Sequence, residues 1–107
     1  MRKARVRVHD RPAAVLEEAE PKRRYRLRYD SAYQGEPVSL ALPVRSEPYE
    51  FDGFPPFFDG LLPEGYQLDA LLRSAKIDRD DLFSQLVVVG GDLVGSVTVE
   101  PLPDEGA

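Results

Sequence analysis

The sequence predicts an α+β domain: a small, mainly antiparallel sheet of about five strands, with two or three short helices inserted before the last strand. Three observations carry this. Apolar and charged residues alternate with a period of two through much of residues 1–42. Between about 56 and 89 the apolar spacing changes to three and four residues. A last alternating stretch then follows the pair Gly90-Gly91. The length of 107 residues suits one domain with one modest core, and 42% hydrophobic content favours a folded globule over disorder.

Val6 to His9 and Ala14 to Glu17 read as a hairpin around Asp10-Arg11-Pro12, with Pro12 in the turn or on an edge because it lacks a ladder donor. Glu20-Pro21-Lys22 turns the chain. Tyr25 to Tyr29 is the clearest strand, aromatic and alternating. Val38 to Leu42 is a fourth strand candidate, with Val38, Leu40 and Leu42 on one face and Pro43 ending it. Arg45 to Pro56 holds three prolines and is expected to be a loop folded back on the core through Tyr49, Phe51 and Phe54.

Pro56 opens a short helical run, since an early helical position needs no backbone donor. A longer helix covers about Tyr66 to Lys76, with Leu68, Leu71, Leu72 and Ala75 facing inward. Asp78 caps a third helix, whose apolar face is Leu82, Phe83, Leu86 and Val87. Gly90-Gly91 stops it. Leu93 to Val99 is the last strand. The domain therefore spans 1–101, and 102–107 form a flexible acidic tail.

Charge is uneven. Residues 1–30 hold ten Lys/Arg against five Asp/Glu, whereas 31–107 hold four against fourteen. The acidic excess argues against general nucleic-acid binding. Arg5, Arg7 and Arg11, like Arg24, Arg26 and Arg28, alternate with apolar residues. They are the wet faces of two strands, a phosphate-facing patch, or an electrostatic docking surface for an acidic protein partner. No apolar run reaches the length of a membrane span, and the basic start lacks the apolar segment of a signal peptide, so a cytoplasmic protein is the default.

Catalytic motifs are missing. Cysteine is absent and His9 is the single histidine, which removes thiolate nucleophiles and histidine-rich metal sites. The glycines of Gly90 to Gly95 do not follow a nucleotide-binding spacing, and they lead from a helix to a strand, the reverse of the dinucleotide-binding order. The reading there is a helix stop, a tight turn and a close approach. Asp78 to Asp81 is explained by a helix N-terminus. The expectation is no enzyme activity, no cofactor and no metal.

The informative segment is Phe54 to Tyr66, where four aromatics and two leucines share 13 residues with prolines and glycines. Prolines lower the entropy lost on ordering a loop. Such a segment suits a stiff protrusion, and tyrosine at its end joins apolar area to a polar tip. The alternative is that the aromatics close one end of the core.

Phe57-Phe58-Asp59-Gly60-Leu61-Leu62-Pro63 resembles the FF-x-x-LLP signature of the HipA family's small N-terminal subdomain. Pro37 to Pro43 is similar to its PLSLSLP segment, Asp80 to Leu86 to the helix before its glycines, and Gly91 to Val97 to its G-x-D-x-x-G-A-V turn, with the aspartate set one position differently. The likeness runs from about Val6 to Pro101. It implies a chain without the ATP site and catalytic aspartates, which lie in the family's larger kinase part. It further implies a HipS-like stand-alone antitoxin that binds and inhibits a HipA- or HipT-like serine/threonine kinase, with a HipB-like DNA-binding protein in a larger complex. The alternatives are an N-terminal structural subdomain or split subunit of a HipA-like kinase, and a small nucleic-acid-binding domain using the basic strands. By the same resemblance Phe57, Phe58, Leu61, Leu62 and Pro63 are a structural motif, and Glu64, Gly65 and Tyr66 face the kinase. Relatives often carry tryptophan where Tyr66 stands.

Overall fold

The computed structural model describes residues 1–93 and 95–103. Five strands, β1 (Arg2–Val8), β2 (Arg11–Glu20), β3 (Arg24–Tyr29), β4 (Tyr49–Asp52) and β5 (Val97–Leu102), form one antiparallel sheet in the order β4-β3-β2-β1-β5. Three helices, α1 (Pro56–Asp59), α2 (Gly65–Ala75) and α3 (Leu82–Val89), lie between β4 and β5, with a 3-10 turn over Gly90–Asp92. The expected α+β class and the helix insertion before the last strand are both observed.

Alternation sorts the two sheet faces. Val6, Val8, Leu16, Leu27, Tyr25, Tyr29, Val97 and Val99 are buried on one side, where Phe58 of α1 and Phe83 and Leu86 of α3 join the same core. Arg5, Arg7, Val15, Arg26, Arg28 and Thr98 occupy the other face. Each buried Leu or Phe contributes about 1.5–3 kcal/mol relative to exposure.

The β1–β2 hairpin turns through His9 and Asp10, both at positive φ, as a two-residue primed turn requires. Pro12 is a correction to the expected turn or edge position. It lies inside β2, in the middle of the sheet, where β1 shifts register at Val6/Arg7 and pairing with β3 has not yet begun.

Several other expectations are corrected. Val38 to Leu42 is not a strand. Bounded by Pro37 and Pro43, it folds into a tight turn with Leu42 N donating to Ser39 O at 2.9 Å. Val38 and Leu42 are buried while Leu40 is 94% exposed. The buried Tyr29 hydroxyl holds both limbs, donating to Leu42 O and accepting from Val38 N. The loop expected over Arg45 to Pro56 contains β4, four residues between Pro48 and Gly53, whose Glu50 and Asp52 pair with Arg26 and Arg24 across β3.

In α2, Ala75 is exposed rather than inward, and Lys76 ends the helix in the left-handed region. Asp81, not Asp78, caps α3: its carboxylate accepts from Ser84 N. The last strand begins at Val97 rather than Leu93, because Gly95 at φ +110° redirects the chain first. It runs to Leu102, opposite Lys3; residues 104–107 of the expected 102–107 tail, and Val94, lie outside the described residues.

Candidate functional site

The segment from Phe54 to Tyr66 is a continuous, hydrogen-bonded corner. Pro55 is buried and Pro56 takes the first position of α1, where a missing donor costs nothing. Asp59 N and Gly60 N donate to Pro55 O and Pro56 O, and Leu61 N and Leu62 N to Phe58 O and Asp59 O, all at 3.0–3.1 Å. Phe54 meets the Tyr25 ring edge-on at 5.1 Å, and Phe57 meets Phe58 at 5.2 Å. Phe58 and Leu62 are buried; Phe57, Leu61 and Pro63 are half-buried. Of the five expected structural positions of the corner, Phe58 and Leu62 enter the core, and Phe57, Leu61 and Pro63 stand at its margin.

Glu64, Gly65 and Tyr66 form its outer side, and all three are exposed. Glu64 is the extended N-cap residue of α2 (φ −130°, ψ 164°). Gly65 has φ +59°, a conformation that costs a residue with a Cβ about 1–2 kcal/mol. That sharp reversal puts Tyr66 in the first turn of α2, 94% exposed and without a hydrogen bond or ring contact among the described residues.

Two shallow depressions adjoin this point. One, of 520 Å³, lies between α2 and α3 and is bordered by Leu61, Pro63, Leu71, Val88 and Leu93. A smaller one, of 230 Å³, is bordered by Asp59, Glu64 and Leu82. Leu68, Leu71 and Leu72 of α2 are half-buried, and no residue of α2 is fully buried. Val88 and Leu93 were not among the expected site residues. Three consecutive valines at 87–89 force at least one outward on an α-helix, and that periodicity is the signal that reveals Val88.

Helix α3 is anchored to the sheet by Arg2. Arg2 forms a two-pronged pair with Glu18, Nε to Oε1 and Nη2 to Oε2, both at 2.7 Å. The same guanidinium donates to Asp81 Oδ1 at 2.9 Å and to Ser84 Oγ at 2.8 Å, and lies over the Phe83 ring. The Glu18 hydrogen bonds chiefly hold the Arg2 guanidinium well above its ordinary pKa. Burial pushes the Glu18 and Asp81 carboxyls up, but the bonds from Arg2, with those from Lys22 N and Tyr25 to Glu18 and from Ser84 to Asp81, outweigh it and leave both below their ordinary values. Burial first, and then the Glu18 charge, raise Tyr25 to about 12.

The remaining sequence features take structural roles. Asp80 pairs with Lys22, and Asp78 O and Arg79 O accept from the buried Gln85 amide. His9 reaches Glu36 at 3.2 Å, both exposed. Among the described residues no group of three His, Asp or Glu is placed to hold a metal ion, and no helix is long and apolar enough to cross a membrane.

The family described as HipA N-terminal domain matches residues 4–100 of the chain. The chain belongs to the HipA N-terminal domain family. A solved structure of the "N-terminal domain of HipA toxin" superposes with a TM-score of 0.74 at 26% identity, covering 98% of this chain and 96% of the other. An uncharacterized protein of Haemophilus influenzae is 32% identical over 81 residues, 76% of each chain. The Sinorhizobium fredii protein named "Putative kinase Y4mE" is 35% identical over 69 residues, 64% of this chain but 16% of that one. The matched fold is that of the HipA N-terminal domain, not of a kinase domain.

Proposed function

We propose that this HipA N-terminal domain is a non-catalytic antitoxin that binds a HipA- or HipT-like serine/threonine kinase in the cytoplasm and restrains it, with a HipB-like protein completing the complex. Glu64, Gly65 and Tyr66 are the contact. One observation carries this reading: Tyr66 projects fully from a corner that prolines, buried aromatics and a positive-φ glycine hold in one shape. A preorganised aromatic loses little entropy on docking, which is what an interface anchor needs. The depression beside it supplies apolar area for the rest of a contact.

The test is co-purification with the kinase encoded beside it, followed by a phosphorylation assay with and without this chain. Tyr66→Ala is expected to weaken the complex by about 2 kcal/mol, roughly 30-fold, and to relieve inhibition in proportion. Unchanged binding and inhibition with the fold intact would remove Tyr66 from the interface. Tyr66→Trp is expected to tighten the complex, since the larger ring adds contact area.

A second reading is favoured by the rhizobial relative, in which the matched part occupies 16% of a much longer chain: a subdomain or split subunit that completes a kinase. It predicts that the kinase is inactive alone and gains activity with this chain. The nucleic-acid reading is weakened by the sheet arginines, because Arg5, Arg7, Arg24 and Arg26 pair with Asp30, Glu100, Asp52 and Glu50.

A further inference from the structure

The surface around Tyr66 carries a charge pattern that the proposed contact does not yet use. The two depressions beside it, of 520 and 230 Å³, meet at Leu62 and Pro63. The larger is lined chiefly by apolar side chains, Leu61, Leu71, Val88 and Leu93 among them. Val88 on α3 is 50% exposed there, and Tyr66 in the first turn of α2 is 94% exposed.

Carboxylates accompany both parts of this apolar surface. Asp92 borders the larger depression, and Asp59 and Glu64 border the smaller. All three are exposed, and none of the three carboxylates has a hydrogen bond or ion pair among the described residues. Among the described residues lining the two depressions the one cation is Arg79, and Asp69 holds it at 2.7 Å. Elsewhere exposed acids do pair: Asp52, Asp80 and Glu100 with Arg24, Lys22 and Arg7. From Pro56 to Asp92 seven Asp/Glu stand against three Lys/Arg, the reverse of the balance in residues 1–30. One exposed carboxylate is a solvated charge. Three unpaired ones around an apolar floor set a negative field over the very surface that gains most from being covered.

We propose that the occupant of this surface is a basic apolar segment of the kinase. An aliphatic or aromatic side chain of that segment sits between Leu71, Val88 and Leu93, and lysine or arginine on either side of it reaches Asp92 and the pair Asp59 and Glu64. This rests on the Tyr66 reading for the identity of the partner and adds the chemistry the partner must present. Charge complementarity selects the occupant. A second copy docked about a two-fold axis sets these carboxylates against their own counterparts. An acidic partner or a nucleic acid meets the same repulsion. The apolar floor supplies the buried area, and the carboxylates supply steering and register.

The test measures the dissociation constant of the complex with the kinase at about 0.05 and about 0.3 M salt. Affinity is expected to fall about tenfold over that interval, chiefly through slower association. The triple variant Asp59→Asn, Glu64→Gln, Asp92→Asn is expected to bind about tenfold more weakly at the lower salt and to lose most of the salt dependence. Its three side chains are exposed, so the fold is kept, which an unchanged urea midpoint verifies. Val88→Lys is expected to weaken the complex about tenfold at both salts, because it sets a cation on the apolar seat. Tyr66→Ala, measured in parallel, separates this proposal from the reading beneath it. A loss in Tyr66→Ala, with a salt-independent affinity and a neutral triple variant, overturns the basic segment and leaves the kinase contact standing. A chain that binds no kinase overturns both. Self-association of the chain alone that disappears in the triple variant gives the surface to a second copy and likewise overturns the proposal.

Discussion

Gly90 and Gly91 look alike in the sequence and differ in the structure. A Cβ on Gly90 would stand 2.1 Å from Val99 O and 2.8 Å from its carbon, so the 3-10 turn presses its backbone directly on β5. A Cβ on Gly91 would meet nothing within 4 Å. Gly90→Ala is therefore expected to destabilise the fold by about 2–3 kcal/mol, as overpacking does, lowering the urea midpoint with little change in slope. Gly91→Ala is expected to stay within about 0.5 kcal/mol. The close approach was legible as a property of the glycine pair, because a stop after a helix calls for small residues. Which member makes it was not, since that depends on where β5 lies. The same division holds at the corner: Phe57, Phe58, Leu61 and Leu62 share the three-and-four spacing of a buried stripe, but only Phe58 and Leu62 enter the core fully. The projection of Tyr66 rests on the φ of Gly65, which composition alone does not fix.

Among the elements, the strands with long alternating runs were readable and the short ones were not. Tyr25 to Tyr29 announces itself, because every second residue is large and apolar. Four residues of β4 are too few for a period to emerge, and three prolines around them argue for a loop. Conversely, Val38, Leu40 and Leu42 imitate a strand while only the outer two enter the core. The third helix was found with its cap three residues early, since Asp78 and Asp81 are chemically equal candidates; Ser84 and, from the other end of the chain, Arg2 bond to Asp81. That cap makes the docking of α3 sensitive to acid. Glu18 and Asp81 titrate lower in the folded chain than when unfolded, so the unfolded state binds more protons as pH falls through that interval. Their contribution is complete at neutral pH and is lost progressively below about pH 4. Urea melts between pH 7 and 3 are expected to show this loss, and Asp81→Asn to lower stability at pH 7 while flattening the acid limb.

For the molecule as a whole, stability is concentrated in the sheet and in the helices against it. Ala4, Val6, Leu16, Leu27, Phe58 and Leu86 are fully enclosed, whereas α2 buries no residue completely. Hydrogen exchange is expected to release the amides of Leu68 to Ala75 well before those of β1 and β2, through a partial opening that leaves the sheet intact. Under the proposed kinase contact, binding is expected to slow that exchange by covering the α2–α3 depression. The order of the strands carries one more consequence. β1 is flanked by β2, its neighbour in sequence, and by β5, some ninety residues later. On the ribosome, the edge of the first strand stays open until nearly the entire domain has been synthesised. Its charged outer side chains then guard it against pairing with another nascent chain.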